Sequence, residues 1–169
     1  MCVGRINAVL ESVSGAFDVT VPPGEDVQAA VNRCPPGGSV LLLPGTHNGP
    51  LVLRANKEVH VFGRGQATLR TAAGFVVSSE AVNATLDGLV IRHEAESYSS
   101  DCGVGIRSGR LRLHACIITS AQVVCVVISG AADPTVASCK CVPCGLSPPG
   151  TVYRRAIIMA SSGLLALYV

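Results

Sequence analysis

The sequence predicts an all-β fold, a solenoid of stacked parallel strands with one short helix near its N-terminus. Three observations favour it: short β-type runs broken by Gly, Asn, Ser or Asp, an apolar pattern that repeats at a nearly constant period, and one stretch with helical periodicity. Composition agrees, because 18 Gly and 10 Pro accompany a charged fraction of only 14% and no Trp. A chain so rich in turn formers and so poor in Glu and Lys argues against a helical bundle.

The helix is predicted over about 25–33, where Val27, Ala30 and Val31 share one face. Pro-Pro-Gly at 22–24 precedes this stretch, and Pro-Pro-Gly-Gly at 35–38 ends it. The β-type runs are short and come one after another along the rest of the chain, at 39–43, 51–53, 58–62, 67–70, 75–77, 84–91, 104–107, 110–119, 123–129 and 135–139.

Four of these runs share one pattern, in which an apolar residue is followed by any residue, a small or apolar one, and a second apolar one. They begin at Val59, Leu86, Leu113 and Val136, so their spacings are 27, 27 and 23 residues. A period in the twenties, made of three short strands, is typical of a solenoid whose turns stack and bury an inward column. A β-sandwich would also contain many short strands, but nothing in it would repeat the inward residues at a fixed period.

The first rungs carry a resemblance to a known superfamily. Val-Thr-Val-Pro-Pro-Gly at 19–24, the helix, and Gly-Ser-Val-Leu-Leu-Leu-Pro-Gly-Thr at 38–46 resemble the start of pectin-lyase-like domains. The rungs from Val59 to about Cys139 are more similar to the intracellular β-helix modules of F-box and SHC-binding proteins. The resemblance implies a right-handed parallel β-helix with an N-terminal capping helix. It implies little about function, because β-helices host many roles.

We divide the chain into an N-terminal extension at 1–16, the β-helix domain at 17–140, and a Pro/Gly-rich linker with an apolar C-terminal tail at 141–169. Rung spacing is lost after Cys139, which leaves open a fragment, a truncated gene product, or a short module closed by its own tail. The apolar stretch 156–169 has 14 residues, fewer than the roughly 18–20 that a membrane span needs. We therefore expect a final strand or an interfacial tail there and no membrane span.

Charge and cysteine content bound the partners and the compartment. The net charge is +2 and the basic residues are scattered, so no nucleic-acid partner is expected. The N-terminus lacks the apolar run of a signal peptide, so we expect an intracellular, cytoplasmic protein whose eight cysteines are reduced and mostly buried. Cys139, Cys141 and Cys144 form a local cluster. It lacks a second ligand pair for zinc and a following helix for redox chemistry, so we interpret it as two inward cysteines and a loop cysteine.

A 27-residue register predicts a grid of outward polar residues on the best-defined strand. Its columns are Glu58–Thr85–Arg112–Thr135 and His60–Asp87–His114, with Arg110 beside Arg112. The second column has the residue types that orient a histidine through a carboxylate, or that bind a metal through two His and one Asp. Polar strand faces are ordinarily only solvated, however, and we expect neither a metal nor a cofactor. Tyr98, in the polar loop 95–101, is a further candidate binding residue, whereas Phe62 and Phe75 are assigned to the core.

Two classes of function follow, with a third possibility. The first is a non-enzymatic binding module that presents a flat polar sheet face to a protein partner or, second, to a glycan. The alternative is a carbohydrate-active lyase or hydrolase using Glu58, Asp87, Arg112 and His114. The Asn-Thr-Asp, Asp-Asp and Gly-His-Gly motifs that the resemblance to polygalacturonases would imply are absent. The third possibility is an incomplete gene product without a function of its own, and an open solenoid end predicts self-association.

Overall fold

The computed structural model describes residues 17–94, 102–121, 124–143, 156–160 and 163–167. These ranges contain one helix and fifteen strands. In chain order they are β1 (Val19–Val21), α1 (Val27–Arg33), β2 (Gly38–Leu42), β3 (Gly45–Asn48), β4 (Leu51–Leu53), β5 (Glu58–Thr71), β6 (Val77–Ser79), β7 (Asn83–His93), β8 (Val104–Ile106), β9 (Leu111–His114), β10 (Ile117–Ser120), β11 (Val126–Ile128), β12 (Thr135–Ala137), β13 (Lys140–Pro143), β14 (Ala156–Ala160) and β15 (Gly163–Leu167).

The strands wind into a parallel β-solenoid of about five turns, which confirms the predicted fold class. Each turn contributes one strand segment to each of three faces. The first face consists of β2, residues 58–62 of β5, residues 83–87 of β7, β9 and β12. The second face consists of β3, residues 67–71 of β5, residues 89–93 of β7, β10 and β13. The third face consists of β4, β6, β8, β11 and β14.

The core is built from side chains that alternate inward along each strand and stack from turn to turn. In a strand, every second side chain points to the same side, so alternate residues face the interior, and these are mostly apolar. The inward residues at equivalent positions form columns of fully or nearly fully buried side chains, among them Val61–Leu86–Leu113, Ala67–Leu89–Cys116–Cys139, Leu69–Ile91–Ile118 and Leu51–Val77–Val104–Val126.

Helix α1 closes the N-terminal end of this core, as predicted, with Val27, Ala30 and Val31 buried. The Asp26 carboxylate accepts a hydrogen bond from the backbone N–H of Ala29 at 3.1 Å and caps the first turn. Gln28 pairs its side-chain amide with both backbone groups of Val52 at the edge of β4, at 2.7 and 3.1 Å. The helix therefore satisfies backbone groups at an edge of β4 that pairs with no other strand of the described ranges.

At the other end, the parallel ladders continue beyond the boundary placed at residue 140. Strand β13 pairs with β10, and β14 pairs with β11, so residues past Cys139 still follow the solenoid. Strand β15 then pairs antiparallel with β14 on the third face. Twelve residues separate Pro143 from Ala156, whereas five separate Ser120 from Val126 at the equivalent place of the preceding turn.

The register between the second and third turns differs from the predicted one by two residues. Leu86 lies beside Val61, whereas the sequence pattern had aligned it with Val59. A shift of two residues leaves the inward and outward faces unchanged, so apolar alternation cannot detect it. The second turn is shorter because five residues link β5 to β6, whereas ten residues link β7 to β8. The corner offsets three of these five, since residues 63–66 occupy in the second turn the place that Gly88 alone occupies in the third.

The corner between the first and second faces repeats an unusual backbone conformation. Gly88, Ala115 and Ser138 all have positive φ values, of 60°, 50° and 55°. A non-glycine residue pays about 1–2 kcal/mol for this left-handed conformation. At Gly88 a Cβ atom would in addition approach the backbone nitrogen of Arg64 to 3.0 Å. This crowding makes the third turn less tolerant of a side chain than the fourth.

We predict that Gly88→Ala lowers the free energy of unfolding by about 1–2 kcal/mol, through left-handed strain and the contact with Arg64. The reverse exchange one turn later, Ala115→Gly, relieves the same strain but adds about 0.5–1 kcal/mol of unfolded-state entropy, so it should be neutral or mildly stabilising. Urea denaturation of the two variants measures both. Equal destabilisation by the two exchanges would contradict the corner assignment.

A polar clip fastens β1 to β2. The Asp18 carboxylate accepts hydrogen bonds from the backbone N–H of Ser39 at 2.8 Å and from its hydroxyl at 2.9 Å. The backbone and side-chain hydrogen bonds from Ser39 hold the pKa of Asp18 below its ordinary value.

We predict that the stability difference between the protein and Asp18→Asn depends on pH. Because the folded-state pKa is lowered, the contribution is fully present above the unfolded-state value of about 3.9 and is lost as the pH falls through the folded-state value. Denaturation midpoints should therefore separate at neutral pH and converge in acid. Glu25→Gln removes a carboxylate from the exposed turn before α1 and serves as the control. A separation that persists undiminished at low pH would contradict the clip.

Candidate functional site

The first face carries the polar grid that the sequence predicts, with the residues of the second turn displaced along both columns. Arg112 lies between Thr85 and Thr135, as expected, and Asp87 lies beside His114. The predicted alignments of Glu58 with Thr85 and of His60 with Asp87 are wrong. Because of the two-residue register shift, Glu58 pairs with Asn83, His60 with Thr85, and Phe62 with Asp87.

Asp87 and His114 form the closest polar pair on this face. The Nδ1 atom of His114 lies 2.8 Å from Oδ2 of Asp87, although the residues are 27 positions apart in the chain. The His114 side chain is 53% exposed and the Asp87 side chain 35% exposed, so the pair contributes no more than about 1 kcal/mol to stability. In the tautomer that donates Nδ1–H to the carboxylate, Nε2 is the unprotonated nitrogen and can accept a proton or a hydrogen bond.

Two arginines of the fourth turn extend the grid. Arg112 is exposed, and within the described ranges no acidic group forms an ion pair with it. Arg110 lies 3.9 Å from the Asp133 carboxylate, but both side chains are at least 74% exposed, which makes this contact weak. The guanidinium group of Arg112 is thus available to an incoming ligand, with threonines of the neighbouring turns at its column positions.

An aromatic cluster borders the grid and corrects the assignment of Phe62 to the core. Phe62 is half-buried on the outward side, where its ring meets Phe17 edge-on at 5.3 Å and lies 6.5 Å from the His60 ring. The Arg64 guanidinium lies 5.5 Å from the centre of the Phe17 ring. These contacts hold residue 17 against the first face, so Phe62 serves packing outside the solenoid rather than inside it.

Phe75 is also outside the core. Its ring lies over Gly105 of the third face, where a Cβ atom would come within 2.9 Å of it. Only a glycine at this outward position lets the ring approach the strand so closely.

A second polar cluster was missed by sequence analysis. Arg70 and Arg92 are neighbours on the second face and share the Glu94 carboxylate, at 3.7 and 2.8 Å. Arg70 also donates to the Asn48 side chain at 3.3 Å. Asn48, Arg70 and Glu94 border a hollow of about 320 Å³. The sequence feature that would have revealed this cluster is the 22-residue spacing of Arg70 and Arg92. It differs from the 27-residue spacing from which the grid was predicted.

A larger hollow, of about 560 Å³, lies beside α1 rather than on the first face. Its lining combines helix residues with those of the β3–β4 turn, including Asp26, Gln28, Asn32, Asn48 and Pro50. Gln28 is already engaged in pairing with Val52, so the hollow borders the N-terminal cap.

Two of the four histidines point inward. His47 is fully buried, with Nε2 2.9 Å from the Leu43 carbonyl oxygen, and His93 is 3% exposed. Both occupy inward positions of the second face, next to Leu69 and Ser120 respectively. Their location excludes them from the polar grid, so His60 and His114 are the histidines that belong to it.

The described cysteines are free thiols. Cys139 is buried and Cys141 half-buried, and both belong to the core, in agreement with the interpretation of two inward cysteines. Burial raises the pKa of the Cys34 thiol, which lies under α1. Cys144 lies outside the described residues, as do Tyr98 and the rest of the loop 95–101.

The described residues hold no group of three or more His, Cys, Asp or Glu side chains arranged for a metal ion. In the same ranges, no helix combines the length and the apolar character required to cross a bilayer. No family model matches the chain, and no curated protein or solved structure is significantly similar to it.

We predict that the Asp87 carboxylate selects the Nδ1–H tautomer of His114. Replacing it, in Asp87→Ala, should shift the neutral imidazole towards the Nε2–H form, which is the more common one without such a partner. Long-range ¹H–¹⁵N correlation spectra of the two proteins report the tautomer directly. Asp133→Ala, which removes a carboxylate one turn beyond His114, is the control. An Nδ1–H tautomer that survives in Asp87→Ala would show that the carboxylate does not orient the ring.

Proposed function

We propose that the chain is a non-enzymatic binding module whose first face contacts a protein partner. The observation that carries the proposal is Arg112, an exposed guanidinium without an ion-pair partner in the described ranges, set between Thr85 and Thr135. Guanidinium and hydroxyl groups at the regular strand spacing of about 4.8 Å present a flat array of donors and acceptors. A glycan is the second kind of ligand that such an array fits.

The resemblance to the intracellular β-helix modules of F-box and SHC-binding proteins supports a binding role. Against catalysis, the two candidate carboxylates lie four positions apart along their strands instead of the predicted two, because Glu58 pairs with Asn83 while Asp87 pairs with Phe62. The first face is thus better suited to recognition than to acid–base chemistry with paired carboxylates.

Site-specific photocrosslinking tests the proposed face. A photoreactive amino acid at position 135, on the first face, should capture a protein partner in cells, whereas the same amino acid at position 82, where the side chain is 59% exposed, should not. Arg112→Glu should then weaken binding of the identified partner at least tenfold by removing the guanidinium and adding a repulsive charge.

Arg54→Glu is the matched control, since Arg54 is exposed in the turn after β4 and makes the same change of charge outside the first face. It should change the affinity less than twofold. An equal loss in both variants, or crosslinks at position 82 only, would contradict the proposal. A glycan bound with the same dependence on Arg112 would keep the face and change the class of partner.

The alternative function is a carbohydrate-active lyase or hydrolase, and the Asp87–His114 hydrogen bond is the observation that favours it. A carboxylate-oriented imidazole is suited to act as a general base, and Arg112 on the same strand is suited to hold an anionic sugar. Incubation with uronate polysaccharides tests this function through the absorbance of unsaturated products. Activity that is lost in both His114→Gln and Arg112→Ala would establish this function. Absence of unsaturated products would leave the binding module as the function to test.

Self-association is a further contact that the fold supports. Among the described residues β12 pairs only with β9, so the strand has one edge without a strand partner in those ranges. Exposed edges of parallel sheets recruit additional strands. Light scattering over a range of concentrations would show a concentration-dependent mass if copies associate through this edge.

A further inference from the structure

Two cysteines stack on each other inside the solenoid. Cys116 precedes β10 and Cys139 precedes β13, and these strands pair in register with Ile117 beside Lys140. The backbone N–H of Lys140 donates to the Cys116 carbonyl oxygen at 2.8 Å, which extends the pairing to the cysteines themselves. Cys116 and Cys139 are therefore neighbours in adjacent turns, at the inward position directly after the corner.

The stacked positions meet the Cα spacing that a disulfide requires. Neighbouring parallel strands are about 4.8 Å apart, within the range of roughly 4.4–6.8 Å over which disulfides join two Cα atoms. Both thiols have the same orientation, because each donates to the carbonyl oxygen two residues earlier, His114 for Cys116 and Ala137 for Cys139, at 3.2 and 3.3 Å.

The two thiols are chemically unequal. The hydrogen bond from Cys116 lowers the pKa of Cys139, and the same bond raises the pKa of Cys116. The thiolate is the nucleophile in thiol–disulfide exchange, so Cys139 is the residue that reacts first.

Cys139 also belongs to a turn at the end of the described solenoid. Within the described ranges β12 pairs only with β9 and β13 only with β10, so the hydrogen-bond ladder of this turn is formed on one side. Strands held on one side open locally at a lower free-energy cost than strands held on both. Such opening gives a small oxidant access to a sulfur that is otherwise 3% exposed.

We propose that Cys116 and Cys139 are a modification site, at which a small-molecule disulfide such as oxidised glutathione converts the two thiols into a reversible disulfide between adjacent turns. The Cys139 thiolate attacks one sulfur of the oxidant, forms a mixed disulfide and releases one glutathione thiolate. The Cys116 thiol then loses its proton to solvent, attacks the Cys139 sulfur and releases the second glutathione. Two protein thiols are oxidised and one glutathione disulfide is reduced to two thiols.

The disulfide would attach the terminal turn covalently to the turn below it, independently of what the outward face binds. It closes a loop that contains β10, β11 and β12, and closing such a loop restricts the unfolded chain. The oxidised protein should consequently keep its terminal turn closed under conditions that open it in the reduced protein.

The competing thiol pair lies close by. Cys141 and Cys125 hydrogen-bond each other, which lowers the pKa of Cys141. They are not register partners, since Cys141 pairs with Ile118 and Cys125 precedes β11. Cys34 lies under α1 at the opposite end of the solenoid and serves as a remote control thiol.

The test is oxidation of the full chain, folded and without denaturant, by glutathione buffers of increasing oxidising strength. Peptide mapping under non-reducing conditions should find one product, the Cys116–Cys139 disulfide, which dithiothreitol reverses. Hydrogen exchange at the amide of Lys140 should slow at least tenfold in the oxidised protein. Cys34→Ala should form the same product, and Cys139→Ala should abolish both the product and the slowed exchange.

Three results would overturn the proposal: a Cys125–Cys141 disulfide as the main product, stable glutathionylation of Cys139 without closure onto Cys116, or a Cys116–Cys139 disulfide that forms only after denaturation. Mapping of the unmutated protein decides between these results and the expected one, so the test does not depend on whether Cys139→Ala folds.

Discussion

The register between successive turns is the constraint on which this structure depends. Inward side chains such as Val61, Leu86 and Leu113 contact one another only because each strand places them at the same height as the corresponding residue of the next turn. A slip of one residue would send these apolar groups outward and bring polar neighbours into the core. Burial of the columns therefore selects the register, and the register in turn determines which outward residues become neighbours.

Stacking leaves the ends of the columns uncovered, and the N-terminal end shows how the chain resolves this. Helix α1 has only seven residues, too few to be stable alone in water. Tertiary contacts stabilise it: Lys57 donates from Nζ to the Cys34 carbonyl oxygen at 2.6 Å below its last turn, and Gln28 pairs with the edge of β4. At the other end, on the third face, β15 pairs with the edge of β14 that faces away from β11.

Both proposed sites follow from the same stacking of turns, one on the outward side of the sheet and the other on its inward side. Asp87 and His114 meet on the outward side because β7 and β9 pair in register. Cys116 and Cys139 meet on the inward side, just past the corner that Ala115 and Ser138 turn with positive φ. One sheet thus brings a polar pair to the surface and a thiol pair to the interior, although neither pair is close in sequence.

The sequence by itself determined the class of fold, the capping helix and the sides of the strands, because alternation and helical periodicity are local properties of the chain. It also identified Arg112 and the Asp87–His114 pair, since the third and fourth turns have the predicted 27-residue spacing. Only the tertiary structure decided the neighbours of His60 and the grouping of Arg70 and Arg92 around Glu94. The neighbours of His60 follow from a second turn of 25 residues instead of 27, and two-residue periodicity does not distinguish registers that differ by two. The pairing of Arg70 with Arg92 follows from residues 63–66, which reduce the spacing to 22 residues on the second face.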